Sequence, residues 1–172
     1  MADIKLAYAA SAAYTITLAS LATSSTLVAG QEGTAIDNSS NKYLDYLVGG
    51  KITTGTTPTA GLIEVWAYGA VNDTPLYPDV LDGTDSVETF TSRDILLASM
   101  TRIATLITDA TSNRTYWFGP VSLLGAFSRM APSGSILPAH HGLFVTHNTA
   151  VNLHATGTNH ALYSRGVYTT VT

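Results

Sequence analysis

Residues 62–71 decide the fold of this chain, and they read LIEVWAYGAV. Successive side chains of a strand point to opposite faces, so Ile63, Val65 and Ala67 share one face. Glu64, Trp66 and Tyr68 share the other. β-branched and aromatic residues favour strands, and the Thr/Gly/Pro-rich residues 53–60 mark where this strand begins. The pattern predicts a long strand in which Trp66 packs against another layer or another subunit. Alternatively, Glu64, Trp66 and Tyr68 form an outward sugar-binding face.

Alternation and turn residues predict further strands on both sides of this stretch. Gly49-Gly50 predicts a bulge within one strand, residues 31–33 read as a turn, and the last short pair of strands reads as a hairpin around residues 147–149. Ten stretches have a strand-like pattern, and from them we expect about eight strands. These stretches are residues 14–18, 27–30, 34–36, 43–54, 62–71, 102–108, 116–121, 143–146, 151–154 and 161–172.

Two short segments have helical features. In residues 91–100, Thr91 or Ser92 can cap the helix, and Asp94 stands in the first turn, where the helix dipole favours a negative charge. The pattern predicts that Ile95, Leu96 and Leu97 of this helix are buried. A single helical turn is predicted at residues 123–127.

These elements predict an all-β protein, an antiparallel β-sandwich of jelly-roll type with about eight strands and one or two short helices. The length of 172 residues fits one domain. No repeat of fixed period argues for a propeller or a solenoid. We assign residues 14–172 to a single jelly-roll domain and residues 1–13 to an N-terminal arm or a first strand.

The composition excludes several functional classes. Charged residues make up only 12% of the chain, about half the usual share, and Thr, Ser, Asn and Gly take their place. Such a surface loses its water at low cost, as suits a protein that packs among neighbours. The eight Lys and Arg residues are scattered, so no nucleic-acid partner is expected. No apolar run is long enough to span a membrane.

Cysteine is absent, which excludes disulfides and thiolate metal sites and favours synthesis in a reducing cytoplasm. The N-terminal residues fit a secretory signal poorly, because Asp3 lies in the would-be basic region and Tyr8 and Ser11 interrupt the apolar stretch.

Two groups of residues could bind an ion, although neither matches a known motif. Five histidines fall in the last quarter of the chain, but His147 and His154 would face opposite sides of one strand. Asp79, Asp82 and Asp85 share an acidic loop, yet their spacing does not fit an EF-hand. We therefore expect loop or subunit contacts for the histidines, which are His140, His141, His147, His154 and His160. We expect turn-stabilising hydrogen bonds for the three aspartates.

No motif supports catalysis. The chain has no Gly-x-Ser-x-Gly elbow and no cysteine nucleophile, and its only glutamates are Glu32, Glu64 and Glu88. No Gly-rich phosphate-binding loop precedes a helix. We expect no enzyme, no catalytic residues, no cofactor and no metal.

Six runs of the sequence carry a resemblance to a known family. They are residues 44–48, 52–56, 63–69, 72–79, 116–120 and 142–147. Together these runs resemble the capsid decoration proteins of tailed bacteriophages, also called cement or minor capsid proteins, which have a jelly-roll domain. The resemblance covers most of the chain from about residue 14 onward.

The resemblance implies a structural virion protein, made in the host bacterial cytoplasm, that forms a homotrimer on the outer surface of the capsid. There it would bridge neighbouring subunits of the major capsid protein and stabilise the assembled lattice. The Ala/Ser/Thr-rich N-terminal segment, residues 2–26, is then a candidate arm laid on a neighbour, with Ile4, Leu6, Tyr8 and Tyr14 as its contact residues. The alternative is that this segment is only the first strand of the sandwich.

A second functional class stays open at this point. The chain could be a carbohydrate-binding or receptor-binding β-sandwich of a phage tail or fibre. That function needs an exposed aromatic platform, for which Trp66, Tyr68 and Trp117 are the candidates.

Overall fold

The computed structural model describes residues 3–128 and 136–171. They form eleven strands, two short α-helices and a 3-10 helix at Gly157–Asn159. The strands are β1 (Ile4–Tyr8), β2 (Ala12–Ala13), β3 (Ala29–Glu32), β4 (Ile36–Asp37), β5 (Asp45–Thr53), β6 (Gly61–Ala70), β7 (Val87–Thr89), β8 (Thr101–Thr108), β9 (Thr115–Ser122), β10 (His140–His147) and β11 (Ala161–Val171). The helices are α1 (Arg93–Ser99) and α2 (Leu123–Phe127).

The strands form two antiparallel sheets that face each other. One sheet has the order β1-β11-β5-β9, with β2 also on β11, and the other has the order β7-β3-β10-β6-β8, with β4 also on β10. Without the short strands β2, β4 and β7, eight strands remain, and their orders β1-β11-β5-β9 and β3-β10-β6-β8 are those of a jelly roll. The predicted antiparallel β-sandwich is confirmed, and the count exceeds eight because of these three short strands.

Strand β6 is buried on both faces. Ile63, Val65 and Ala67 point into the core between the two sheets, whereas Trp66 and Tyr68 point to the opposite side of the six-stranded sheet. The alternation predicted from residues 62–71 is therefore present, and Trp66 packs against another layer of the same chain.

The side chains between the sheets form the main core. They include Ile52 from β5, Leu143 from β10 and Leu162 from β11, together with Tyr14 and Leu18 from the segment that joins β2 to β3. The glycine pair of β5 lies where the pairing of β5 with β9 shifts its register, as the sequence predicted.

A second apolar cluster covers the outer face of the six-stranded sheet. Phe90, Leu96 and Met100 pack there on Trp66 and Phe144. The Ser92 hydroxyl caps α1 by accepting a hydrogen bond from the Ile95 amide at 3.2 Å. Of the residues in this helix, only Leu96 is buried. The prediction that Ile95 and Leu97 are buried is wrong, because so short a helix turns only one side towards the sheet.

Three other local predictions need correction. Residues 14–18 have the predicted alternation of burial but form no strand, because the chain passes here from one sheet to the other. The Tyr14 amide donates to Leu162 of one sheet, and the Thr15 carbonyl accepts from Thr34, which follows β3 of the other.

Gln31 and Glu32 belong to β3 and not to a turn, since their backbone pairs with β10. No hairpin follows β10, because the only strand-like pairing of residues 151–154 is the single bridge from Leu153 to Thr54. No helix in the described residues is long and apolar enough to cross a membrane.

His141 is a fully buried histidine of β10. Its ring lies against that of Tyr46, with 4.7 Å between the ring centroids, and neither ring nitrogen has a hydrogen-bond partner among the described residues. Burial lowers the pKa of His141 to about 4. The side chain therefore stays neutral in the folded protein at pH values where it is protonated in the unfolded chain.

We expect His141 to make the protein less stable in mild acid. Between pH 6.5 and pH 4 the His141 side chain is protonated in the unfolded chain but neutral in the folded protein. The free energy of unfolding therefore decreases as the pH is lowered through this range. Urea denaturation at pH 7 and pH 5 should show wild type losing about 2 kcal/mol more than His141→Phe. Carboxylates titrate in both proteins and cancel in the comparison. Equal losses in the two proteins would show that His141 does not cause the acid sensitivity.

Candidate functional site

The first and last strands extend beyond the rest of the sandwich. β5 pairs with β11 only as far as Val167, which lies opposite Asp45. Beyond that point, residues 168–171 of β11 pair with β1 alone, in a register that places Ile4 opposite Val171. We call β1 together with residues 168–171 the terminal ribbon. An isolated two-stranded ribbon is at best marginally stable. The stability of the terminal ribbon therefore depends on the part of β11 that pairs within the sandwich, or on a partner.

One face of the terminal ribbon is apolar, and the described part of the chain does not cover it. Ile4, Leu6 and Tyr8 alternate along β1 and so share a face, on which Val171 lies beside Ile4. Ile4 is 74% exposed, Leu6 67% and Val171 67%. Burial of each such side chain is worth roughly 1.5–3 kcal/mol. Contiguous exposed apolar side chains of this kind are typical of protein interaction sites.

The backbone of β1 also has a free edge. The Ala9 amide donates to the Gly166 carbonyl at 2.9 Å, so Ala9 and Gly166 are a hydrogen-bonded pair of the antiparallel ladder. Such pairs alternate with pairs whose backbone groups point away from each other. The N–H and C=O groups of Ile4, Leu6 and Tyr8 therefore point outward, where the described residues supply no strand. Unpaired edges of this kind readily bind another strand.

The four residues predicted to contact a partner divide into two groups. Ile4, Leu6 and Tyr8 lie together on the apolar face of the terminal ribbon. Tyr14 is 6% exposed and belongs to the main core, so its assignment to a contact arm is wrong. Sequence alternation alone could not separate them, because Tyr14 continues the same even-numbered pattern. The sequence prediction also missed Val171, which joins the patch only through the pairing of β1 with β11.

A groove crosses the outer face of the five-stranded sheet. Trp117 of β9 is 71% exposed, and Tyr163 of β11 is also exposed. Between their strands lies Gly49 of β5, which pairs with Tyr163 and adds no side chain to the floor. The groove encloses about 500 Å³, and Arg165 contributes a positive charge to its wall.

The other two aromatic candidates are not available to a ligand. Trp66 and Tyr68 are both buried in the second cluster. The Glu64 carboxylate beside Trp66 accepts from Arg93 at 2.6 Å and from Arg102 at 2.9 Å, and both guanidinium groups also lie over the Trp66 ring. This buried ion cluster fixes α1 and β8 to β6. The hypothesis of an outward sugar-binding face formed by Glu64, Trp66 and Tyr68 is therefore wrong.

A second buried carboxylate, Glu32, holds the acidic loop. It accepts hydrogen bonds from the Tyr68 hydroxyl, from the Gly83 amide at 2.7 Å and from the Asp82 amide at 3.2 Å. Burial raises the pKa of Glu32, and these three hydrogen bonds oppose that shift. All of the contacts are internal, which gives Glu32 a structural role.

The three loop aspartates point to different neighbours. Asp79 accepts from Thr91, Asp82 from Thr84, and Asp85 from Thr17 and Gln31. The hydrogen bonds from Thr84 lower the pKa of Asp82. Only Asp82 makes the turn-stabilising hydrogen bond that the sequence predicted, whereas Asp79 and Asp85 accept from residues distant in the sequence and hold the loop against other parts of the chain.

The histidines are likewise dispersed. His147 is buried and contacts the Leu21 carbonyl and the Thr149 hydroxyl, each at 3.0 Å, and the ring of His160 contacts the His154 carbonyl at 2.9 Å. Within residues 3–128 and 136–171, no three side chains from His, Asp or Glu are grouped closely enough to hold a metal ion.

We compared the chain with models of protein families, with curated proteins and with solved structures, and no significant match was found in any of the three comparisons.

Proposed function

We propose that this protein is a structural virion protein without enzymatic activity, which binds the outer surface of an assembled phage capsid and stabilises it by bridging subunits of the major capsid protein. The observation that carries the proposal is the terminal ribbon, whose side chains Ile4, Leu6 and Val171 and whose free β1 edge are ready for contact with another protein. The sequence resemblance to decoration proteins supports the major capsid protein as the target of the assembled copies, which the ribbon joins to one another.

The mechanism is stabilisation by selective binding. A protein that binds the assembled lattice and not its free subunits shifts the equilibrium towards the assembled state. A homotrimer would place three identical contacts on one lattice position, and linked contacts bind far more tightly than single ones. Under this proposal, the terminal ribbon keeps each copy within such an assembly.

The chemistry of the interior supports a role without catalysis. Glu32 and Glu64 are the buried glutamates, and each is engaged by donors of its own chain. Both carboxylates thereby fasten surface elements to the six-stranded sheet, which is a structural task.

The ribbon should be needed for attachment to capsids. We expect a variant lacking residues 2–13 to fold, because β11 still pairs with β5, but to bind capsids at least about tenfold more weakly, a loss of about 1.4 kcal/mol. Leu6→Ser should weaken binding in the same direction, whereas Lys5→Ser, on the opposite face, should not. Binding is measured as the occupancy of purified capsids that lack this protein, by sedimentation with increasing amounts of each variant.

Circular dichroism and thermal melting of each variant provide the control for folding. Full occupancy by the variant without residues 2–13 would contradict the role of the ribbon, and failure of the wild-type protein to bind any capsid would contradict the proposed function itself.

A second candidate function rests on the groove beside Trp117. An exposed aromatic ring, a flat glycine floor and a cationic wall suit a sugar ring, as a carbohydrate-binding or receptor-binding protein of a phage tail or fibre would need. We expect Trp117→Ala to abolish binding to bacterial surface polysaccharide in a glycan array, with Ile107→Ala, an exposed residue of the other sheet, as the control. Equal binding by all three proteins, or by none, would exclude this function.

A further inference from the structure

The terminal ribbon has two chemically different faces. Ile4, Leu6 and Tyr8 lie on one face with Val171, as described above. Lys5 pairs with Thr170, next to the pair of Ile4 and Val171. Since side chains alternate along a strand, Lys5 and Thr170 lie on the other face of the ribbon. Asp3 precedes Lys5 by two positions, which places it on the same side as Lys5 by strand alternation. The apolar face therefore carries no charge among the described residues.

The ribbon also has two free edges. One is the β1 edge, where the backbone groups of Ile4, Leu6 and Tyr8 point outward. The other is on β11, where the alternation that starts from the Ala9–Gly166 pair leaves the backbone groups of Thr169 and Val171 pointing towards the side of β5. Since β5 pairs with β11 only up to Val167, the described strands do not reach that second edge.

Possible partners differ in how much of this surface they cover. A single strand from another protein covers one edge, and two ribbons packed face to face cover the apolar faces but leave all edges free. A closed ring of ribbons covers the apolar faces and both edges together, because each β1 edge meets the β11 edge of the next copy. Closure of this kind is the means by which barrels remove free edges.

The direction of the strands permits such a ring. β1 and β11 are antiparallel within one ribbon, so the rotation that places the next β1 beside this β11 makes every neighbouring pair antiparallel. With strands about 4.8 Å apart and tilted as in barrels, four strands enclose a radius of about 4 Å and six strands about 6 Å. Six strands make the smallest ring that leaves room for inward side chains such as Leu6. A ring of six strands requires three ribbons.

We infer that the terminal ribbons of three copies of this chain pair edge to edge around a threefold axis, with Ile4, Leu6, Tyr8 and Val171 packed inside a six-stranded antiparallel barrel. The contact is heterologous and closes after three copies, so it does not grow into a filament. This inference rests on the proposed function in treating the chain as an assembly subunit, but its test needs no capsid.

The native mass of the full chain in solution tests the inference. Light scattering should give about 54 kDa for the wild-type protein, three times the 18.1 kDa of one chain. Leu6→Glu places a charge in the barrel interior and should give a monomer with an unchanged circular dichroism spectrum. The matched variant Lys5→Glu changes the charge on the polar face of the ribbon, which points away from the barrel interior, and should stay trimeric. A wild-type monomer or dimer would overturn the inference, as would a trimer that survives Leu6→Glu.

Amide hydrogen exchange tests the edge pairing separately from the mass. The Leu6 and Thr169 amides point to the free edges of one ribbon, so they should exchange slowly in the wild-type protein and at least about a hundredfold faster in a monomeric Ile4→Glu variant. Fast exchange of both amides in a trimer would overturn the barrel, because the copies would then meet through another surface.

The two proposals can fail independently. A wild-type monomer that still binds capsids overturns the ribbon barrel and leaves the decoration function standing. A trimer that depends on the ribbon but binds no capsid supports the ribbon barrel and overturns the decoration function.

Discussion

Strand β6 must bury both of its faces, and this constraint organises the rest of the molecule. Its inner face is covered by the five-stranded sheet, but its outer face, with Trp66 and Tyr68, needs a further layer. The chain supplies that layer with α1 and the loop before it, which Glu64 and Glu32 fasten to the sheet. No comparable layer of described residues lies over the outer face of the five-stranded sheet, and the candidate contact surfaces are found there.

The Glu64 cluster shows how a charge is tolerated in this apolar layer. A buried carboxylate is costly unless donors satisfy it, and here two guanidinium groups and the Trp66 indole do so. The arginines also contact the face of the Trp66 ring, an arrangement that contributes attraction of its own. Two consecutive elements, α1 and β8, are thus fixed in one orientation on β6.

Local patterns predicted most of the fold, because alternating side chains and turn residues indicate where the strands of a sandwich begin and end. Residues 62–71 and the bulge at Gly49-Gly50 are examples. The errors arose where tertiary contacts decide, as at residues 14–18, which alternate in burial while crossing between sheets. The candidate surface was only half predictable. Ile4 stands out in the sequence, but Val171 opposite it lies far along the chain, and the pairing that joins them is a property of the topology.

The position of β11 has a consequence for the order of events during synthesis. This late strand lies between β1 and β5, so the five-stranded sheet cannot be completed until residues 161–171 have left the ribosome. Contacts between such distant segments form slowly, and β1 must wait unpaired while the intervening residues emerge. Because the ribbon exists only once β11 is in place, incomplete chains lack it. Under the proposed assembly through the ribbons, the topology excludes such unfinished copies without any separate proofreading step.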